Sequence, residues 1–307
     1  MASSRQRTRG DMCSVTIETE DTYGGGVASS SGAVTGGWVR SLTDGDGSET
    51  EELPGACGSR ISGGISVISR SCAPSMTVRL PSGSGLLKAW LERVLGGTSP
   101  QQALPSSAYM VKVGPSEWHI WTGGTVGSLT VTGSELGAPV EVEASITAIE
   151  HAISSAVKPG ADASVKVNGQ AYKLRPASVP SAPYVRTTAV WSVDGTPVSD
   201  MRSWSLKIDA HLSTVAAMSA DGTVALSAGG SATPQESEVT LSLTVPSTGS
   251  KWAAERLASG THTLALTIDG CTITLTGCIL GGSGPSRTWE GAYDETLEWT
   301  AQTIALS

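Results

Sequence analysis

Strict alternation of apolar and polar residues is the feature that most constrains this chain. In TLALTIDGCTITL, residues 263–275, Leu264, Leu266 and Ile268 share one face, and Ile273 and Leu275 continue the apolar set after Asp269-Gly270. A period of two belongs to half-buried strands. Asp-Gly between such runs marks a hairpin, because both central residues of its turn take positive φ. SVKVNGQAYKL, residues 164–174, repeats the device around Asn168-Gly169. The same pattern predicts strands at 14–20, 60–69, 75–80, 128–132, 139–149, 203–209, 222–227 and 237–245.

Two segments change period. Residues 85–95 place Leu87, Trp90, Leu91, Val94 and Leu95 on one helical stripe, and Gly96-Gly97 stop it. Residues 250–259 form a shorter helix, with Ser250 as its N-cap and Gly260 as its stop. Short helices on a chain of strands give a mainly β protein of sandwich or barrel units, each with one helix.

The elements recur in order. Each helix follows a strand (75–80, then 237–245) and precedes an alternating hairpin, YMVKVGPSEWHIW at 109–121 and LALTIDGCTITLT at 264–276. The offset, 264 − 109 = 155 residues, also carries Gly114-Pro115 onto Asp269-Gly270 and EVEASITAI at 141–149 onto TLEWTAQTI at 296–304. Ser14–Ile17 and Ser203–Leu206 stand as the opening strands of the two copies. The expected organisation is a tandem duplication. A first unit spans 1–150, a Pro-rich connector with a hairpin spans 151–201, and a second unit spans 202–307. The first unit carries one long loop, 22–62, rich in Gly, Ser, Thr and acid (GGGVASSSG, TDGDGSETEE). Such a composition does not bury a core alone and orders against a partner.

Composition removes several functions. The formal net charge is −8, whereas nucleic-acid binders are usually basic. No apolar run approaches the roughly 18–20 residues that cross a bilayer, and the polar, Arg-bearing stretch Met1–Asp11 does not read as a secretory signal. Five scattered Cys without a C-x-x-C pair read as structural thiols in a reducing compartment. There is no phosphate-binding glycine loop and no G-x-S-x-G elbow. The four His (His119, His151, His211, His262) are isolated in sequence, so no metal site is expected. Same-face acid pairs such as Glu18/Glu20 and Glu141/Glu143 are what a wetted sheet face presents, and no catalytic constellation emerges.

The order strand, long loop, strands, helix, hairpin, closing strand resembles the tail tube (major tail) proteins of long-tailed bacteriophages. The stretches that carry the resemblance are Glu18 to Gly24, the helix opened by Gly85-Leu86-Leu87-Lys88 and ended by Leu95-Gly96, Ser203-Trp204-Ser205-Leu206-Lys207-Ile208-Asp209, and Thr296-Leu297-Glu298-Trp299-Thr300-Ala301. Ala210 stands where the family has Asn, and Trp replaces Phe throughout.

The resemblance implies a structural virion protein without catalysis or cofactor, synthesised and assembled in the host bacterial cytoplasm and located in the virion tail. Six copies of the fold close one ring around a DNA channel, so a doubled chain forms a pseudo-sixfold trimer, with a hexamer as the other option. Implied partners are further copies of the chain, the tape-measure protein, the tail terminator and tip proteins, and double-stranded DNA passing without specific binding.

Expected inter-ring contacts are Tyr23, Val27, Trp38, Val39 and Leu42. Expected lumen-facing residues are Glu18, Glu20, Glu141 and Glu143, and expected subunit-packing residues are Trp90, Trp252 and Trp299. The alternative reading is a tail-tip or surface carbohydrate-binding module with exposed Trp clusters; a carboxylate-based glycosidase ranks below it.

Overall fold

The computed structural model describes residues 14–20, 26–27, 34–53, 64–101, 103–113, 117–154, 163–167, 170–174, 181–214, 217–218, 224–225, 232–233, 236–246, 251–258, 260–281 and 294–307. The first part of the chain contains β1 (Ser14–Thr19), β2 (Val34–Thr43), β3 (Asp46–Leu53), β4 (Gly64–Cys72), β5 (Ser75–Arg79) and α1 (Leu86–Leu95). It continues with β6 (Ser107–Lys112), β7 (Trp118–Gly133), β8 (Glu141–Thr147) and β9 (Glu150–Ser154). A hairpin of β10 (Ala163–Val167) and β11 (Gln170–Leu174) follows. Then come β12 (Ser192–Val193), β13 (Thr196–Pro197), β14 (Ser203–Asp209), and the short β15 (Ser213–Thr214), β16 (Ala217–Met218), β17 (Val224–Ala225) and β18 (Ala232–Thr233). The last elements are β19 (Glu238–Pro246), α2 (Lys251–Ala258), β20 (His262–Ile268), β21 (Cys271–Gly281), β22 (Asp294–Ala301) and β23 (Thr303–Leu306).

Pairing closes a six-stranded antiparallel barrel in the first part. Its ring runs β1–β2–β5–β8–β7–β6 and back to β1. The second part repeats the ring: β12 pairs β20, β20 pairs β21, β21 pairs β22, β22 pairs β19 and β19 pairs β14. β13 and β14 together take the place of β2. β13 pairs β12 as the start of β2 pairs β1, and β14 pairs β19 as the end of β2 pairs β5.

The repeat holds at the level of register. In β6–β7 the pairing slips between Ser107 and Tyr109, and in β20–β21 between His262 and Leu264. A positive-φ glycine bends the long strand in each copy, Gly123 at 62° and Gly277 at 64°. A Cβ there would meet Ile149 in one copy and Gln302 in the other, residues just before β9 and β23. Those two strands extend β8 and β22 along β7 and β21 in turn. Bulges and glycine bends of this kind are how sheets turn into barrels.

Each helix packs on its barrel, α1 against β7 and β2, α2 against β21. In α1 the residues Leu86, Leu87, Trp90, Leu91, Val94 and Leu95 are buried, and Gly96 (φ 82°) donates its N–H to Glu92 O to end the helix. One apolar cluster runs through both barrels.

Three expectations change. Within 22–62 the chain forms β2 and β3 rather than one loop; β2 gains its hydrogen bonds from β1 and β5 and sets Val39 into the core, so the partner that orders it is this chain. The strand equivalent to β1 is β12 and not β14, because Asp194 (φ 48°) and Gly195 (φ 78°) make a tight turn that folds β13 onto β12. The ends of 151–201 belong to the barrels: β9 begins at Glu150 and pairs β7, and β12 pairs β20. The expected hairpins stand at β20–β21, where Asp269 and Gly270 both take positive φ, and at β10–β11. Asn168-Gly169 and Gly114-Pro115 lie outside the described residues.

Candidate functional site

The barrels meet by strand pairing. β14 pairs β7 from Trp204↔Gly133 to Asp209↔Ser128, so one sheet runs β2–β5–β8–β7–β14–β19–β22–β21. Four strands of one barrel are followed by their four counterparts in the same order.

One face of this sheet is core. The cross-strand row Val78, Val142, Val131, Leu206, Leu241, Trp299 has 0% exposure throughout. The other face is hydrophilic across both barrels. One row reads Thr77, Glu143, Thr130, Lys207, Thr240, Thr300. The next reads Arg79, Glu141, Thr132, Ser205, Ser242, Glu298. Period-two alternation puts these residues on the face opposite the valines. Of these twelve residues seven carry short hydroxyl side chains, three are acids (Glu141, Glu143, Glu298) and two are bases (Arg79, Lys207).

Of the acids expected on a channel wall, Glu141 and Glu143 lie on this face. Glu143 is exposed. Glu141 is clamped by Arg40 Nη1 at 2.7 Å and Arg79 Nε at 2.9 Å. Partial burial pushes its carboxyl up, and the hydrogen bonds from Arg79 and Arg40 outweigh that, leaving it below the usual carboxylate range. Glu18 and Glu20 are buried, with 1% and 6% exposure, so they do not belong to a wetted face. Glu20 is an internal brace that accepts hydrogen bonds from the Gly123 N–H at 2.7 Å and from the Ser106 hydroxyl, holding the bend of β7.

The residues expected to contact another ring lie inside the protomer. Val27 is 1% exposed, exchanges backbone hydrogen bonds with β11, and sits in a small cluster with Met110, Trp118, Ile120 and Tyr172. Trp38 is buried against Tyr184, with ring centroids 4.3 Å apart. Val39 is buried, and Leu42 packs half-buried on the main core. Tyr23 lies outside the described residues.

The tryptophans expected at subunit contacts are core residues too. Trp90 stacks on Tyr109 at 5.6 Å, and Trp252 meets Trp299 edge-on at 6.2 Å. Every described Trp is buried, so among the described residues no tryptophan cluster is displayed for sugar stacking.

Sequence reasoning missed one constellation. β7–β9 pairing brings His119 and His151, taken as isolated, to within 3.0 Å of each other.

The described residues thus form a doubled barrel whose halves share one sheet with a continuous polar face. The family model described as "Phage tail tube protein" matches residues 12–301, and the chain belongs to that family. It is accordingly a structural component of a phage virion tail. No curated protein matches the chain.

Proposed function

We propose that three copies of this chain close one ring of the tail tube, with the polar sheet face lining the channel through which DNA passes. The observation that carries this reading is the β7–β14 junction. Inside the chain, β7 of the first barrel meets β14 of the second. Past Trp38, the counterpart strand β2 pairs only β5 among the described strands. At the other end of the sheet stands β21, the counterpart of β7. Repeating the internal junction at the β21 end of one chain with β2 of the next would close the sheet into a ring and cover both of its ends. Two barrels per chain then give sixfold pseudo-symmetry with three chains.

The wall chemistry suits passage. Duplex DNA carries one negative charge per about 1.7 Å, and each Lys or Arg that neutralises a phosphate adds about one unit to the salt dependence of binding. A basic channel many rings long would hold the genome in place. Hydroxyl rows with a slight excess of acid offer no such grip.

The β3–β4 hairpin stands off the main sheet and pairs β17, an insertion at the equivalent place in the second barrel. We assign stacking between rings to this small sheet.

Glu143→Lys combined with Thr130→Lys is expected to slow DNA ejection from assembled particles, with added salt restoring it. An unchanged ejection rate would remove these rows from the channel wall.

A further inference from the structure

We propose that Asp44, His119 and His151 form a binding site for one divalent transition-metal ion of the Zn2+ class. Ligand atoms from the three side chains all lie within 4.8 Å of one another. His119 Nδ1 is 3.0 Å from His151 Nε2 and 3.4 Å from Asp44 Oδ1.

The outer hydrogen bonds fix what these atoms present. His119 Nε2 lies 2.9 Å from Glu117 Oε1, and His151 Nδ1 lies 2.6 Å from Asp46 Oδ2. An ionised carboxylate only accepts, so each ring donates its N–H outward to its acid. Each ring therefore turns its other nitrogen inward, and the two nitrogens face each other beside the Asp44 carboxylate. A single proton shared between the two nitrogens pairs only those two, whereas a cation also engages the Asp44 carboxylate. Two nitrogens bound tetrahedrally at Zn–N lengths of about 2.0–2.1 Å stand about 3.3 Å apart, close to the spacing seen here. Carboxylates behind each histidine are also the usual way that metal-binding rings are oriented.

Packing holds the rings. Trp121 stacks on His151 with centroids 4.7 Å apart and planes 9° from parallel. The His119 and His151 side chains are each 8% exposed, whereas Asp44 is 48% exposed, so the site is walled by the barrel and open on one side. Two imidazoles and one carboxylate favour Zn2+, Co2+ or Ni2+ over Mg2+ and Ca2+, which seek oxygen.

The repeat provides an independent observation. The positions of His119 and His151 in the cross-strand register are filled in the second barrel by Ile273 and Ile304, both buried. The scaffold closes with an apolar pair there, so the donor set is an addition to one copy only. Asp44 lies in the turn between β2 and β3. A bound ion therefore ties the root of the β3–β4 hairpin to the β7–β9 side of the barrel and fixes how that hairpin leaves it.

The test is titration of the metal-stripped full-length protein with Zn2+ by calorimetry and with Co2+ by visible absorption. One ion per chain is expected, with a rise of a few degrees in the thermal midpoint. Asp44→Asn should weaken Zn2+ binding at least tenfold and His151→Gln should abolish it. Glu117→Gln, which leaves all three ligands in place, should weaken it roughly 10–100-fold. Asp44 and Glu117 are about half exposed, so their metal-free variants should melt with the parent and any loss of binding is not loss of fold. Absence of saturable binding up to about 1 mM Zn2+, or equal binding by the parent and the Asp44→Asn variant, would overturn the proposal. Neither result depends on ring formation.

Discussion

The two barrels share their pairing order, their bulge and their bent glycine, yet differ in what they carry at equivalent places. Between its first two strands the second barrel has the Asp194-Gly195 turn, while the first has the stretch from Glu20 to Val34. At two diagonal positions of the equivalent strand pairs the second buries isoleucines and the first has a histidine pair clamped by acids. The scaffold is thus fixed by register, strand bending and an alternating core. Loops and single wall positions are free to take on local tasks.

The largest expected effects test whether both copies are equally needed. Trp90→Ala and Trp299→Ala each empty a fully buried site, and each should cost about 3–5 kcal/mol. Urea unfolding should show one transition for both, because one apolar cluster spans the barrels. Two separated transitions would show that the copies unfold independently.

Next come the bending glycines. An alanine at Gly123 would sit 2.3 Å from Ile149 Cδ1, and one at Gly277 would sit 2.4 Å from Gln302 Oε1, both at positive φ. Backbone strain alone costs about 1–2 kcal/mol at each. The exposed Gln302 tip can swing away and leave only its Cβ at 2.9 Å, whereas Ile149 is branched at Cβ and stiffer, so Gly123→Ala should be the more damaging of the two by thermal melting. Equal losses would mean that the Ile149 clash costs no more than the Gln302 one.

Smaller still is the Glu141 clamp. Its carboxyl is held below the ordinary value, so its stabilising share is present above the unfolded pKa, near 4.5, and fades as pH falls through the lower folded value. Glu141→Gln should cost less than about 1 kcal/mol at neutral pH and flatten the acid limb of the stability profile. The opposite outcome, a loss that grows as pH falls, would contradict the clamp.

The smallest effect concerns thiols. Burial pushes up the Cys72 and Cys271 thiols and raises Cys278 to about 11, so peptide-resolved alkylation near pH 8 should leave these three unmodified in the native protein.

Much of the scaffold was legible because its signals are local. Asp269-Gly270 between alternating runs announced β20–β21, and the stripe from Leu87 to Leu95 announced α1. Asp194-Gly195 carries the same turn signal, but its strands are two residues long, too short for alternation to register. β2 was hidden by the Gly- and Ser-rich segment around it and by Gly36-Gly37 within it, and its strand state comes from pairing on both sides rather than from propensity. Glu18 and Glu20 look like wall acids because alternation reports only which residues share a face, not that both are buried, Glu20 under Ser106 and Gly123. The His119–His151 contact joins residues 32 positions apart, and only the β7–β9 register brings them together.

The number of chains in an isolated ring decides the matter most directly. Native mass spectrometry of assembled rings should give three copies of the 31.3 kDa chain. Six copies per ring, or a chain that stays monomeric at every concentration, would contradict the idea that the junction inside the chain is reused between chains.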